Sequence, residues 1–183
     1  MRKVMLVSLL AGLVVFTVAA LTSAQAPEIS WFHTYTANSA ALSLHELPDS
    51  GFVLGGYVVP EGEGYRDMFI VRTNSIGDTL WTSAIGEFGR YESASCLYPT
   101  ADGGFILTGG REQDEPYSFN TDVHLVKTDQ NGALEWQSTF GAEDVSESGQ
   151  CVVPAAGGGY LIAASPWYEI TGYDLWLLKT DHL

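Results

Sequence analysis

The chain has 183 residues, enough for one domain, and carries 22 acidic against 8 basic residues for a formal net charge of −14. That balance excludes nucleic acid and anionic membrane surfaces as partners, because both repel a strongly negative protein.

In chain order, the start reads as a secretory signal over residues 1–24: Arg2-Lys3, an apolar run from Val4 to Leu21, then Thr22-Ser23-Ala24-Gln25-Ala26. Cleavage is expected after Ala24 or Ala26, with Pro27 hindering the second cut. An uncleaved anchor is the rival reading, since the run approaches the roughly 18 residues that span a bilayer. No Cys follows the run, so a lipoprotein cut is not indicated. Without Arg2 and Lys3, 6 basic residues face 22 acidic ones, a net charge of −16. The expected destination is outside the cell, in the periplasm or at the cell surface, with no membrane attachment after cleavage.

Residues 27–183 read as one repeat domain. A strand is expected over 28–36, and repeats follow at about 40–86, 94–141 and 148–181. Phe52, Phe105 and Tyr160 hold one repeat position, 53 and 55 residues apart. Each follows a Gly-containing turn and opens an apolar run ending in small residues: Gly55-Gly56, Gly109-Gly110 and Ala163-Ala164. A second block begins at Asp67, Asp122 and Asp174, and a third at Trp81 and Trp136. Trp31-Phe32-His33-Thr34-Tyr35-Thr36 is a further copy of the third block, which the last repeat lacks.

Each repeat is predicted to form four short strands. In the second copy these are 94–99, 104–109, 123–128 and 134–140, rich in β-branched and aromatic residues and broken by Gly, Asn and Asp. Asp129-Gln130-Asn131-Gly132 and Asn74-Ser75-Ile76-Gly77 read as matching tight turns. Phe105-Ile106-Leu107 and Met68-Phe69-Ile70-Val71 are apolar on both faces, as in a sheet covered by other sheets on both sides. Four-stranded sheets of about 50 residues that stack on one another suggest propeller blades. The fold expectation is therefore all-β, a partial β-propeller of about three blades, its N-terminal strand completing the last blade.

The pattern Asp102-Gly103-Gly104-Phe105-Ile106-Leu107 with Gly109-Gly110, then Asp122 to Trp136, resembles secreted bacterial β-propeller repeat proteins whose copies read "DGGYIxxGxT…DxxLIKTDxNGxxxW". The resemblance covers nearly all of the chain after the leader. It implies export, often as cargo of type IX secretion, and in some members an endoglucanase-like or lectin-like role. Those propellers are generally longer, and three blades fall below the usual four to eight. Three outcomes stay open, in this order of expectation: a piece of a longer propeller, two or more chains sharing one ring, or three blades in an unusual closed form. Exposed blade faces would favour self-association.

Variable loops on a repeated frame are where binding surfaces form. Tyr65, Tyr117, Trp167 and Tyr168 lie in such loops and are the candidate ligand-binding residues, whereas Trp81 and Trp136 repeat and are assigned to packing. The acidic loop residues Glu112, Asp114, Glu115, Glu143, Asp144 and Glu147 match no calcium-loop spacing and are read as solvated surface. His33, His45, His124 and His182 show no ligand spacing, no pair of carboxylates is singled out for glycoside hydrolysis, and neither cofactor nor metal is expected. Cys96 and Cys151 share one repeat position, filled by Ser43 in the first copy. They are expected to be separate thiols, because a layer of packing would hold them beyond the roughly 7 Å that a disulfide tolerates between Cα atoms. The functional expectation is an exported, non-catalytic module that binds a carbohydrate or protein, or serves as a surface element. The alternatives are part of a polysaccharide-hydrolysing enzyme and a gene fragment without independent function.

Overall fold

The computed structural model describes residues 6–10, 13–17, 26–113, 120–142 and 145–181. It divides into two units, residues 1–32 and 33–183. In the first, β1 (Leu6–Leu10) and β2 (Leu13–Thr17) pair as an antiparallel hairpin. The expected cut after Ala24 lies outside the described residues. Among the described residues, no helix is long and apolar enough to cross a membrane.

The second unit is all-β. The first sheet is β3 (Ser39–Glu46), β4 (Phe52–Val58), β5 (Asp67–Thr73) and β6 (Thr79–Ile85), paired in chain order. The second is β7 (Glu92–Pro99), β8 (Phe105–Glu112), β9 (Thr121–Thr128) and β10 (Leu134–Phe140), in the same order. In the third, β11 (Ser146–Pro154) pairs β12 (Tyr160–Tyr168), whose other edge pairs β13 (Gly172–Tyr173) and β14 (Trp176–Lys179). All pairings are antiparallel, and no sheet closes on itself.

Local chemistry repeats with the sheets. Asp129 Oδ1 accepts the amides of Asn131 and Ala133, both at 2.8 Å, and Asn74 Oδ1 accepts those of Ile76 at 3.1 Å and Asp78 at 2.9 Å. Gly132 and Gly77 then take φ of +77° and +88°, which only glycine adopts freely. The first strand of each four-stranded sheet carries a register shift at one place, between Ala41 and Ser43, Ala94 and Cys96, and Gly149 and Cys151. Opposite two of these bulges sit Gly56 and Gly109, where an added Cβ would overlap the backbone oxygen of Ala40 or Ser93. The small-residue signature of the repeat thus marks where a bulged strand presses on its neighbour.

The core lies between sheets. One cluster joins Val53, Met68, Ile70 and Ile85 of the first sheet to Ala94, Leu97, Phe105, Leu107 and Val126 of the second. The other joins Ile106, Val123 and Leu125 of the second to Val152, Ile162 and Ala164 of the third. β8 is buried on both faces over its first six residues, as its unbroken apolar run requires. Trp81 meets Phe105 edge-on at 6.0 Å, and Trp136 meets Tyr160 at 6.0 Å, so both repeated tryptophans pack on the next sheet.

Two expectations are corrected. Residues 26–36 form no strand, and the third sheet ends at β14 without a further one. A strand persists only where a second backbone satisfies its amides and carbonyls, and among the described residues no strand pairs with this segment. The two cysteines are unbridged, yet their sulfurs lie only 3.8 Å apart. A full layer does not separate them, because β7 and β11, the strands that carry them, pack directly against each other.

Candidate functional site

Two clefts open where the β4–β5 and β8–β9 loops meet the starts of β7 and β11. Arg66, Tyr91, Glu92, Ser93 and Glu112 line the first. Thr121, Ser146, Glu147, Ser148 and Trp167 line the second, each 55 residues further on. The two clefts are thus lined at a constant spacing of 55 residues by partly different side chains.

The first cleft is tied by charge. Glu92 is 1% exposed. Its Oε1 accepts Arg111 Nε at 2.9 Å, and its Oε2 accepts the Glu87 amide at 2.8 Å. Arg111 also reaches Glu87 Oε1 at 2.9 Å. Burial raises the Glu92 carboxyl above its ordinary value, with Arg111 pulling the other way. Asp67 is raised by burial and by Glu63. Asp67 and Glu92 both press on Gly86, where an added Cβ would lie 2.8 Å from Glu92 Oε2 and overlap Asp67. His124 is buried with Nε2 3.1 Å from Gln137 Oε1, and burial pushes its pKa down to about 4. It is neutral at physiological pH, so its 4.0 Å approach to Glu92 is not an ion pair.

The second cleft repeats the glutamate without the arginine, whose equivalent place is Pro166. Glu147 is 0% exposed. Its Oε1 accepts the Ala142 amide at 3.0 Å, while Oε2 has no hydrogen-bond partner among the described residues. Burial raises its pKa, and the charge of Asp122 adds to the rise. Asp122 is met by Gln113 Nε2 at 2.8 Å, which also reaches the carbonyls of Ala142 and Val145. Glu147, expected as solvated surface, is thus a buried lock on the turn after β10. Glu112, half-buried, accepts the Tyr91 amide at 3.2 Å. Asp114, Glu115, Glu143 and Asp144 lie outside the described residues. Among the described residues, no group of three or more His, Cys, Asp or Glu is placed to hold a metal ion.

A raised folded-state pKa means that the folded chain holds its proton more tightly than the unfolded one. Stability from this group is then complete below the ordinary value of 4.5 and falls as pH rises through the folded-state pKa. Glu147→Gln keeps an acceptor for Ala142 and gives Asp122 a neutral neighbour. It is expected to raise the urea midpoint at pH 7.5 and to leave it nearly unchanged at pH 4. A lower midpoint at pH 7.5 would show that the charge is compensated.

The predicted aromatics fare differently. Tyr65 meets Tyr91 edge-on at 5.2 Å, and Tyr117 lies outside the described residues. Ser146, Trp167 and Tyr173 stand directly opposite one another across β11, β12 and β13. Directly opposed residues project from one face, and Ser148 and Ser165, two positions along, project from it too. Trp167 is 44% exposed and Tyr173 is 77% exposed. Tyr168 pairs Gly172 on the opposite face, so the structure joins Trp167 to Tyr173 rather than to Tyr168. Tyr173 escaped the sequence reading, although Thr171-Gly172, with Gly172 at φ +80°, signals the hairpin that returns it to Trp167. Compared with models of known protein families and with curated proteins, the chain matches none.

Proposed function

We propose that this is an exported, propeller-type module that binds carbohydrate at the cleft beside Trp167, without catalysing its hydrolysis. The observation that carries the reading is the row Ser146–Trp167–Tyr173. Two exposed rings and a set of hydroxyls share one face, beside Asn120 and Gln150 in a cleft of about 380 Å³. Flat apolar rings with a few fixed polar groups are what a pocket needs to hold and orient a polyhydroxyl ring. The propeller reading is supported by three consecutive sheets whose first strands pack in sequence, β3 on β7 and β7 on β11. Export is supported by the charged and apolar leader. Binding is favoured over hydrolysis because a glycosidase needs two carboxyl groups facing its substrate. In both Asp–Glu pairs the glutamate is withdrawn from solvent, and Glu92 is tied to Arg111.

Tryptophan fluorescence is expected to change on titration with soluble cello-, xylo- or chito-oligosaccharides. Trp167→Ala should weaken binding by about tenfold or more, as removal of a central aromatic does elsewhere. Its thermal melt should match the parent, and Tyr168→Ala should bind normally. Equal affinity in the parent and Trp167→Ala would refute the site.

A further inference from the structure

The chain shows twice what covers the face of such a sheet, because the second sheet seats on the first and the third on the second. The third sheet then repeats the covered face, with no further sheet on it among the described residues. Leu177 stands where Leu125 and Ile70 stand in the earlier sheets, and is 71% exposed where they are buried. Cys151 stands where Cys96 stands and is also exposed. The first sheet repeats the covering face. Leu44, Leu54 and Val71 stand where Leu97, Leu107 and Val126 seat on the sheet before, and Leu44 is 61% exposed.

Residues 33–36 lie on this covering face. They line a cleft with Ala41, Leu54 and Val71. Ile85 packs with Ala94, Leu107 and Val126, the same three places one repeat on. Tyr35 therefore sits on the first sheet as the end of β6 sits on the second. By repeat spacing Tyr35 holds the place of Ile85 at the end of β6, although its own segment forms no strand. Among the described residues the third sheet has no fourth strand at that place, and β14 and β10 flank a cleft of about 1210 Å³.

We propose that two copies of this chain associate head to tail, the third sheet of each seating on the first sheet of the other. The inference rests on the propeller-type reading of the sheets and not on sugar binding. The contact is heterologous, so it must close or polymerise. The described residues of two copies supply six four-stranded sheets, within the four to eight that propellers use, so the ring closes at two.

The cysteines provide the test. Cys96 and Cys151 lie 3.8 Å apart across the second and third sheets, and Ser43 holds their place in the first. In the head-to-tail pair, Ser43 of one copy faces Cys151 of the other. A chain carrying Cys96→Ser with Ser43→Cys should form a disulfide-linked dimer under mild oxidation, while Cys96→Ser alone should not. Light scattering on the purified parent should give two copies. Leu177→Glu and Leu44→Glu each disable one face at an exposed position, so each alone should be a folded monomer by near-ultraviolet circular dichroism. Mixed, they should form a one-to-one complex through the single intact contact. A monomeric parent, a ladder of larger species, or a Leu177→Glu dimer would overturn the proposal.

Discussion

Glu92→Gln is expected to lower the unfolding free energy at pH 7.5 by about 1 to 2 kcal/mol, the cost of leaving a buried donor unmet, reduced because burial already disfavours the ionised carboxyl. The Arg111 guanidinium and the Glu87 amide approach the two carboxylate oxygens separately, at 2.9 and 2.8 Å. A carboxamide has one acceptor oxygen and turns its NH₂ toward one of those donors, leaving a buried donor unmet. Arg111 keeps Glu87 at 2.9 Å, which limits the loss. A urea titration of the variant reads the change directly. The same substitution at Glu147 should act in the opposite direction, although the two glutamates are repeat equivalents, because no arginine stands beside Glu147. A loss below about 1 kcal/mol at Glu92 would mean that the pair contributes little.

Leu125→Ala is expected to cost about 3 kcal/mol, within the range for truncating a fully buried leucine where the surroundings cannot collapse. Leu125 is enclosed by the second sheet and by the cluster it forms with Val152 and Ile162 of the third. Leu177→Ala, the same change at the equivalent place one repeat later, should move the melt of the isolated chain by less than about 0.5 kcal/mol, as exposed substitutions do. Similar costs at both positions, measured under conditions that keep the chain monomeric, would mean that the face of the third sheet is covered within the chain.

The strands were legible because packing requirements write themselves into their residues. β8 is apolar without alternation, since both its faces meet another sheet, and the turns at Gly77 and Gly132 announce their positive φ. The site was less legible. Glu92 and Glu147 recur 55 residues apart, but among 22 acidic residues that spacing carries no weight until a fold withdraws both from water. Glu147 also neighbours Glu143 and Asp144, and local composition alone suggested solvent. Trp167 was recoverable as an aromatic that the other copies do not share, but it lies in strand β12 and not in the loop expected for it. Its partner Tyr173 depends on the register of a short hairpin, which a sequence does not state. The strand expected over residues 28–36 matched the repeat in sequence, yet strand formation depends on a neighbouring backbone as much as on the residues themselves.

In the first two sheets every ladder joins strands that follow one another along the chain. Loop closure is then short for almost every hydrogen bond, the topology associated with fast folding. During synthesis the N-terminal end emerges first, so the first sheet can form before the second exists, and each later sheet finds its seat already built. Assembly order is thereby written into chain order. A nascent chain that has reached Phe140 holds two complete sheets and the whole of the interface between them.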